Sequence, residues 1–436
     1  MMNLEVFAIF LALGLLIFLA LRGFSIIVIA PVASVVVIVL TGMPLLESLQ
    51  ETYMSGFINF TKNFFFIFLF AAMFGKVMED SGAAAVMARG ILRIIGKNSK
   101  MRVLLAIVAI SAALTYGGIA VHVVIFAMLP IAKPLFKELD IPWHLFIAAF
   151  FFGAATFTMT MLPGAPSVPN IIPTEYLGTT VMAAPLIGIV VAIATIFLNS
   201  IYLRYALRKS EKRGETYRNM KNLERVEDDQ KATIKNKEPH FIVAILPPVV
   251  LLVLLNIFQV EIIFALVISV VSGIVLFWKL LDQKIKTINT GATNTVLPIV
   301  NTSADVGFGA VIAASAGFAI ITEWLTTMPG SPLISLYLAT TILAGITGSA
   351  SGGLAIAMEA LSETFMQLGL DPDIVHRVAT IAAGGFDALP HNGGVITFLV
   401  VAGLTHKDAY KHIFATGIVG PVLATIPALG LAILLY

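Results

Sequence analysis

Four short breaks rich in glycine, serine or proline interrupt apolar stretches of this chain. They are Thr115-Tyr116-Gly117-Gly118, Met161-Leu162-Pro163-Gly164-Ala165-Pro166-Ser167, Gly348-Ser349-Ala350-Ser351-Gly352-Gly353 and Ala388-Leu389-Pro390-His391-Asn392-Gly393-Gly394. In a bilayer every backbone N–H and C=O needs a partner, so non-helical backbone at membrane depth survives only when buried in protein or lining a wet cavity. The breaks fall in the same order in both halves. A helical run and a short charged turn separate each pair: Glu138-Leu139-Asp140-Ile141-Pro142-Trp143-His144 in the first half, Leu370-Asp371-Pro372-Asp373-Ile374-Val375-His376 in the second. Interrupted apolar segments at corresponding places predict two inverted repeats with a binding site at the breaks.

Composition places those breaks in a membrane. Of 436 residues 58% are hydrophobic and 12% charged, too few charges to cover a soluble core of that size. The fold class expected is therefore an all-α polytopic membrane protein. There are no cysteines, which excludes disulfide and thiolate chemistry. The N-terminal apolar run lacks a basic leader and an obvious cleavage site and reads as a retained helix.

Taken in order, residues 4–21, 25–41 and 62–79 read as spans, with 44–60 an interfacial connection. Residues 81–100 carry Arg89, Arg93 and Lys97 at spacings of four, the pattern of a helix lying on the membrane surface or of an ordinary connecting helix. Residues 101–137 read as a re-entrant hairpin, because its first arm rises roughly 22 Å against a ~30 Å hydrocarbon core; two plain spans with a tight turn are the alternative. A broken helix over 143–175 and a span over 180–203 complete a first repeat, 1–206. The polar segment 204–239 holds 11 of the 27 Lys and Arg residues. Its basic excess puts the linker, 207–239, in the cytoplasm and the N-terminus outside a plasma or inner membrane. The second repeat, 240–436, has spans at 241–258, 261–281 and 306–325, a hairpin at 333–367 and a broken helix at 376–404.

Broken helices expose backbone groups at their interior ends, and their N-termini carry partial positive charge suited to a carboxylate. Substrate contacts are accordingly expected from Thr115, Tyr116, Gly117, Gly118, Pro163, Gly164, Ser167, Ser349, Ser351, Gly352, Gly353, His391, Asn392 and Gly393. Hydroxyl and amide groups among them suit a hydroxylated acid; for any one small-residue patch, helix–helix packing is the plainer explanation. Ionisable residues within spans are costly, which marks His122, Glu359, Asp387 and His391 as candidates to carry a proton during transport. Asp305, after Asn301-Thr302-Ser303, is a weaker candidate because the reading places it at the start of a span, facing water. No metal site or cofactor is expected, and the coupling ion is a proton, with sodium bound by break carbonyls as the alternative. No His-Glu-X-X-His or Gly-X-Ser-X-Gly motif occurs, so an intramembrane enzyme is not expected.

The stretch Phe74-Gly75-Lys76-Val77-Met78-Glu79-Asp80-Ser81-Gly82-Ala83 resembles the Gly-Lys-X-X-X-Asp-X-Gly-Gly signature of the gluconate permeases, the GntP family of the ion transporter superfamily. Leu129-Pro130, Leu162-Pro163 and Gly348-Ser349-Ala350 followed by the arm 354–361 sit where that family has similar motifs. The resemblance implies a secondary active, proton-driven symporter of hydroxylated monocarboxylates such as gluconate, glycerate or 3-hydroxybutyrate. It further implies a homodimer with a scaffold part and a moving, elevator-like part. The chain departs from the pattern at Tyr116-Gly117-Gly118, where the family has an acidic residue. It departs again at Pro163-Gly164-Ala165-Pro166, in place of Pro-His-Pro, and at Pro390-His391-Asn392-Gly393-Gly394, in place of Asn-Asp-Pro-Gly. It looks more like the hydroxybutyrate-permease branch. Expected partners are the lipid bilayer, a small organic anion and a second copy of the chain, with no nucleic acid; a sodium-coupled anion carrier or an ion/proton antiporter is the alternative function.

Overall fold

The computed structural model describes residues 4–435 apart from 23, 96–98, 120, 218–237, 327–329 and 391, and the described residues form helices and turns with no strand. Helices α1 (Leu4–Leu21) and α2 (Ile26–Leu40) pack side by side. After Pro44 no breaker follows, and α3 runs unbroken over Leu45–Asp80 with one π turn at Ser48–Tyr53. The connection expected at 44–60 is thus the first part of a long apolar helix. Lys76 ends it by bridging Glu79 at 3.2 Å and Asp80 at 3.0 Å, and Gly82 turns the chain at φ +78°. The signature at 74–83 is a helix terminator. Next comes α4 (Ala83–Ile95), where Arg89 pairs with Glu238.

A helix–turn–helix follows, α5 (Lys100–Tyr116) and α6 (Val121–Glu138). Then comes an interrupted helix made of α7 (His144–Ala154), the short α8 (Phe157–Thr160) and α9 (Val168–Leu177). Helix α10 (Pro185–Lys212) continues into the basic segment, since Lys209 and Lys212 suit a helix C-terminus and Gly214, at φ +63°, is the first left-handed residue beyond it. The second half begins with α11 (Phe241–Asn256) and α12 (Ile262–Leu276). Helix α13 spans Lys284–Ala314, so the polar stretch 289–301 is helical. Polar side chains in and around it are met by α3: Thr295 donates to Phe68 O at 3.5 Å, Thr287 donates to Asp80 Oδ2 at 2.7 Å, and the Ser303 and Thr61 hydroxyls lie 2.8 Å apart. After α14 (Ala316–Thr326) comes a second helix–turn–helix, α15 (Pro332–Thr347) and α16 (Ala350–Gln367). A second interrupted helix follows, α17 (Pro372–Phe386) and α18 (Gly393–Val401), and α19 (His406–Leu434) closes the described chain.

The contacts of the two halves correspond. Helix α5 packs on α7 and α15 on α17, while α9 reaches across to α16 and α18 to α6. Helices α1, α2, α3, α12 and α13 form a second set of neighbours, joined to the first where α13 packs on α16, and α12 packs on α11. Leu186, Ile189, Ile193, Phe197 and Ile201 recur every three or four residues along α10 and are all exposed, a stripe that only lipid covers at low cost. On its other face α10 is joined to α19, where the Asn199 side-chain amide donates to the Thr416 carbonyl at 2.8 Å, inside a π turn at Phe414–Val419.

Two glycines let helix backbones meet closely. A Cβ on Gly153 (α7) would collide with the Val108 carbonyl of α5, and one on Gly353 (α16) with the backbone of Ala344 in α15, while Gly430 in α19 faces open space. Gly153→Val and Gly353→Val are each expected to cost on the order of 3 kcal/mol by overpacking and to abolish the monodisperse peak in size-exclusion chromatography of detergent extracts. Gly430→Val should elute as the unaltered chain does.

Candidate functional site

At the first break, the hairpin tip is stitched to the interrupted helix beside it. The Tyr116 hydroxyl donates to the Pro163 carbonyl at 3.0 Å, and the buried Thr115 hydroxyl donates to Ser111 O at 2.9 Å with Thr158 Oγ1 3.1 Å away. Ser167 donates to Met159 O at 2.5 Å, bridging the interruption. Gly118, at φ +88°, makes the turn in a left-handed conformation costly for any side chain. Helix α11 closes over this break: Asn256 donates to Gly164 O at 3.2 Å, and Gly117 lies against Pro248.

The second break is built alike with other residues. Asn392 donates through its amide to Gly348 O at 2.7 Å and Asp387 O at 2.8 Å, and accepts from Val395 N at 2.7 Å. One side chain thereby holds the hairpin tip, the end of α17 and the start of α18 together. Ser349 caps α16 by accepting from Gly352 N at 3.1 Å. The carbonyls of the interruption are met from α19, Pro390 O by His406 at 2.8 Å and Ala388 O by Tyr410 at 3.3 Å. Non-helical backbone here is paired group by group, as an apolar surround requires.

The two breaks also meet each other. Thr160 lies 2.5 Å from where a Cβ on Gly384 would stand, and Thr380 donates to Pro169 O at 3.5 Å. The strongest link is Arg377, wholly buried in α17. Its Nε donates to Ala183 O at 2.8 Å, one terminal nitrogen to Asn170 Oδ1 at 2.9 Å and the other to Val181 O at 3.0 Å. Asn170 in turn donates to Ala165 O and Val181 O, and the neighbouring His376 ring lies 2.7 Å from Thr179 Oγ1. A guanidinium of the second half therefore organises the loop that follows the first break. The sequence reading passed over Arg377, His376 and Asn170. A charge inside the apolar run 374–386 was the signal, the same rule that singled out Glu359 and Asp387.

Other expected residues scatter in role. Ser351 lies half-buried in the first turn of α16, and Gly393 opens α18 with no atom near its missing Cβ. Gly353 packs between the hairpin arms and Gly352 against Asp305. Glu359 is exposed beside Tyr176, and Asp387 is half-buried at the C-cap of α17. His391 and the side chain of His122 lie outside the described residues. Asp305, expected to face water, is 4% exposed in the interior of α13. Replacing Arg377 with Met would leave Ala183 O without a donor and Asn170 Oδ1 with only the 3.4 Å His376 contact, at about 1–3 kcal/mol each, while Val181 O keeps Asn170 and Gly164 N. The melting temperature in detergent should fall sharply, and Arg377→Lys should recover only part of the loss, since one ammonium cannot serve three diverging acceptors.

Comparison with known proteins gives this arrangement a family. The family model described as "CitMHS: Citrate transporter" matches residues 8–302. A relative from Bacillus subtilis (strain 168), described as "Uncharacterized transporter YxjC", is 37% identical over 94% of this chain and 95% of its own length. Among solved structures, the YdaH transporter of Alcanivorax borkumensis, whose crystal structure is described as revealing an unusual topology, superposes with a TM-score of 0.54 at 14% identity, covering 90% of this chain and 88% of that one. That likeness shows the fold. The signature at 74–83 pointed to the gluconate permeases, and the family shown is another branch of the same ion transporter superfamily. The protein is a membrane-embedded secondary transporter and belongs to the CitMHS citrate transporter family.

Proposed function

We propose that the protein is a proton-coupled symporter of a short hydroxylated carboxylate, the 3-hydroxybutyrate class first among them. The observation that carries this is the meeting of the two breaks around a guanidinium already committed to protein oxygens. Positive charge for a substrate then comes from half-helix N-termini, each roughly half an elementary charge, joined by hydroxyls such as that of Ser351. Such a site suits one carboxylate and a neighbouring hydroxyl. Citrate, named in the family description, has the same hydroxy-acid chemistry with more charge to neutralise and is the competing reading. In this proposal the halves are inverted repeats, the hairpins are re-entrant, and the breaks alternate between the two sides by an elevator motion within a homodimer. The N-terminus lies outside and the linker in the cytoplasm. Asp387, Glu359, His122 and His391 remain candidates for carrying the proton.

The test is uptake by proteoliposomes of labelled 3-hydroxybutyrate and labelled citrate under an inward proton gradient, with sodium present or replaced by choline. The expected outcome is saturable, sodium-independent uptake of 3-hydroxybutyrate, competed by glycerate and gluconate, and abolished by Ser351→Leu without loss of inserted protein. Uptake of citrate alone would overturn the monocarboxylate assignment, and uptake only with sodium would overturn the proton.

A further inference from the structure

Asp305 is the buried charge for which the breaks have no use. It is 4% exposed, and its Oδ1 has no hydrogen-bond partner. One helical turn earlier on the same face of α13, Asn301 Oδ1 is likewise shielded and unpartnered. Helix α16 presses its N-terminal turn on this spot: a Cβ built on Gly352 would lie 3.2 Å from both the Cβ and Oδ2 of Asp305, and 3.3 Å from Ser349 Oγ. Deeper along the same contact, Gly309 of α13 receives the side chain of Ile356. From α3 the titratable group facing Asp305 is the Tyr53 phenol, whose ring packs on Gly307. Helix α2, also packed on α13, has no titratable residue. In α16 the ionisable Glu359 is exposed and turned to Tyr176. No cation faces the Asp305 carboxyl among the described residues.

We propose that Asp305 is a proton-binding site whose occupancy is coupled to the packing of the second hairpin on α13. Two shielded acceptor oxygens one helical turn apart, each without a donor, leave a hydrogen to be supplied, and a carboxylic acid O–H supplies it. A bare carboxylate there would carry an uncompensated desolvation cost of several kcal/mol. With Asn301 Oδ1, Ser349 Oγ and the Tyr53 hydroxyl beside the carboxyl, the spot still offers fewer oxygens than the roughly six to eight of a calcium ion. While the hairpin tip is seated, water is kept from Asp305 and the proton stays. When the tip lifts, water reaches the carboxyl and the proton passes to it, leaving a carboxylate that resists reseating. By linkage, protonation favours the seated hairpin to the same degree that seating favours protonation. The inference deepens the proton coupling proposed above by giving it a residue outside the four breaks.

The absence of cysteine allows a single reporter, Ile356→Cys, at the seated contact in the full chain reconstituted in liposomes. The rate of maleimide labelling of this cysteine, divided at each pH by the rate in the unfolded chain to cancel the thiol's own ionisation, should rise with pH by up to about tenfold per pH unit, the limit for one linked proton. In the Asp305→Asn background this ratio should stay at its low, acidic value at every pH. Asp305→Ser, smaller and also neutral, is the second variant should the first not reach the membrane folded. Unchanged pH dependence in the neutral variants, or none in the parent, would overturn the proposal. Protection by sodium but not choline at alkaline pH, lost with Asp305→Asn, would make this a metal-cation site and overturn the proton assignment. The readout needs no substrate, so it stands or falls apart from the hydroxy-acid reading.

Discussion

The structure depends on the rule that backbone polar groups away from water must be paired. Four interruptions would otherwise leave carbonyls and amides bare in the protein interior, and each pairing found also fixes an element in place. Asn392 joins three segments through one amide, and Tyr116 joins a hairpin tip to the neighbouring interruption. What satisfies the backbone also assembles the site. The two needs are inseparable, because the same half-helix ends that must be held in place are those that offer partial charge to an anion.

Arg377 extends that logic between the halves. A buried guanidinium is costly unless its donors are met, and here carbonyls of the loop after the first break meet them. The loop lacks regular structure between Leu177 and Pro185, and Asn170, Gly164 N and His376 hold it alongside the guanidinium. The charge of the second half and the bare carbonyls of the first each remove the other's penalty. The same economy appears at α3 and α13, where the hydroxyls of Thr61, Thr287 and Ser303 find partners across the contact.

Much of this was legible in the sequence where the signal is local. The helix–turn–helix pairs at 100–138 and 332–367 announce themselves because glycine and serine clusters interrupt apolar runs on the spot. What was illegible is pairing at a distance. The stretch 289–301 is polar, yet it is helical, with α3 supplying partners from more than two hundred residues away to Thr295 within it and to Thr287 and Ser303 at its ends. Asp305 was placed at a span's wet end for the same reason, by a boundary that the real helix does not have. Arg377 hid beside a charged turn, and only the fold shows that its partners lie in the other half. The family likewise needed the whole chain, since the signature at 74–83 proved to be a way of ending a helix.

The π turn in α19 has a mechanical meaning. Widening the helix by one residue frees the Thr416 carbonyl from its usual partner, and Asn199 of α10 takes it. A bond of that kind fits at one position along both helices. Sliding by a turn would strand an amide and a carbonyl in an apolar seam, and rotation would do the same. Helices α10 and α19, one from each half of the chain, are therefore keyed like a shaft to its gear. Any sliding of one part of the chain past another would have to leave this pair intact.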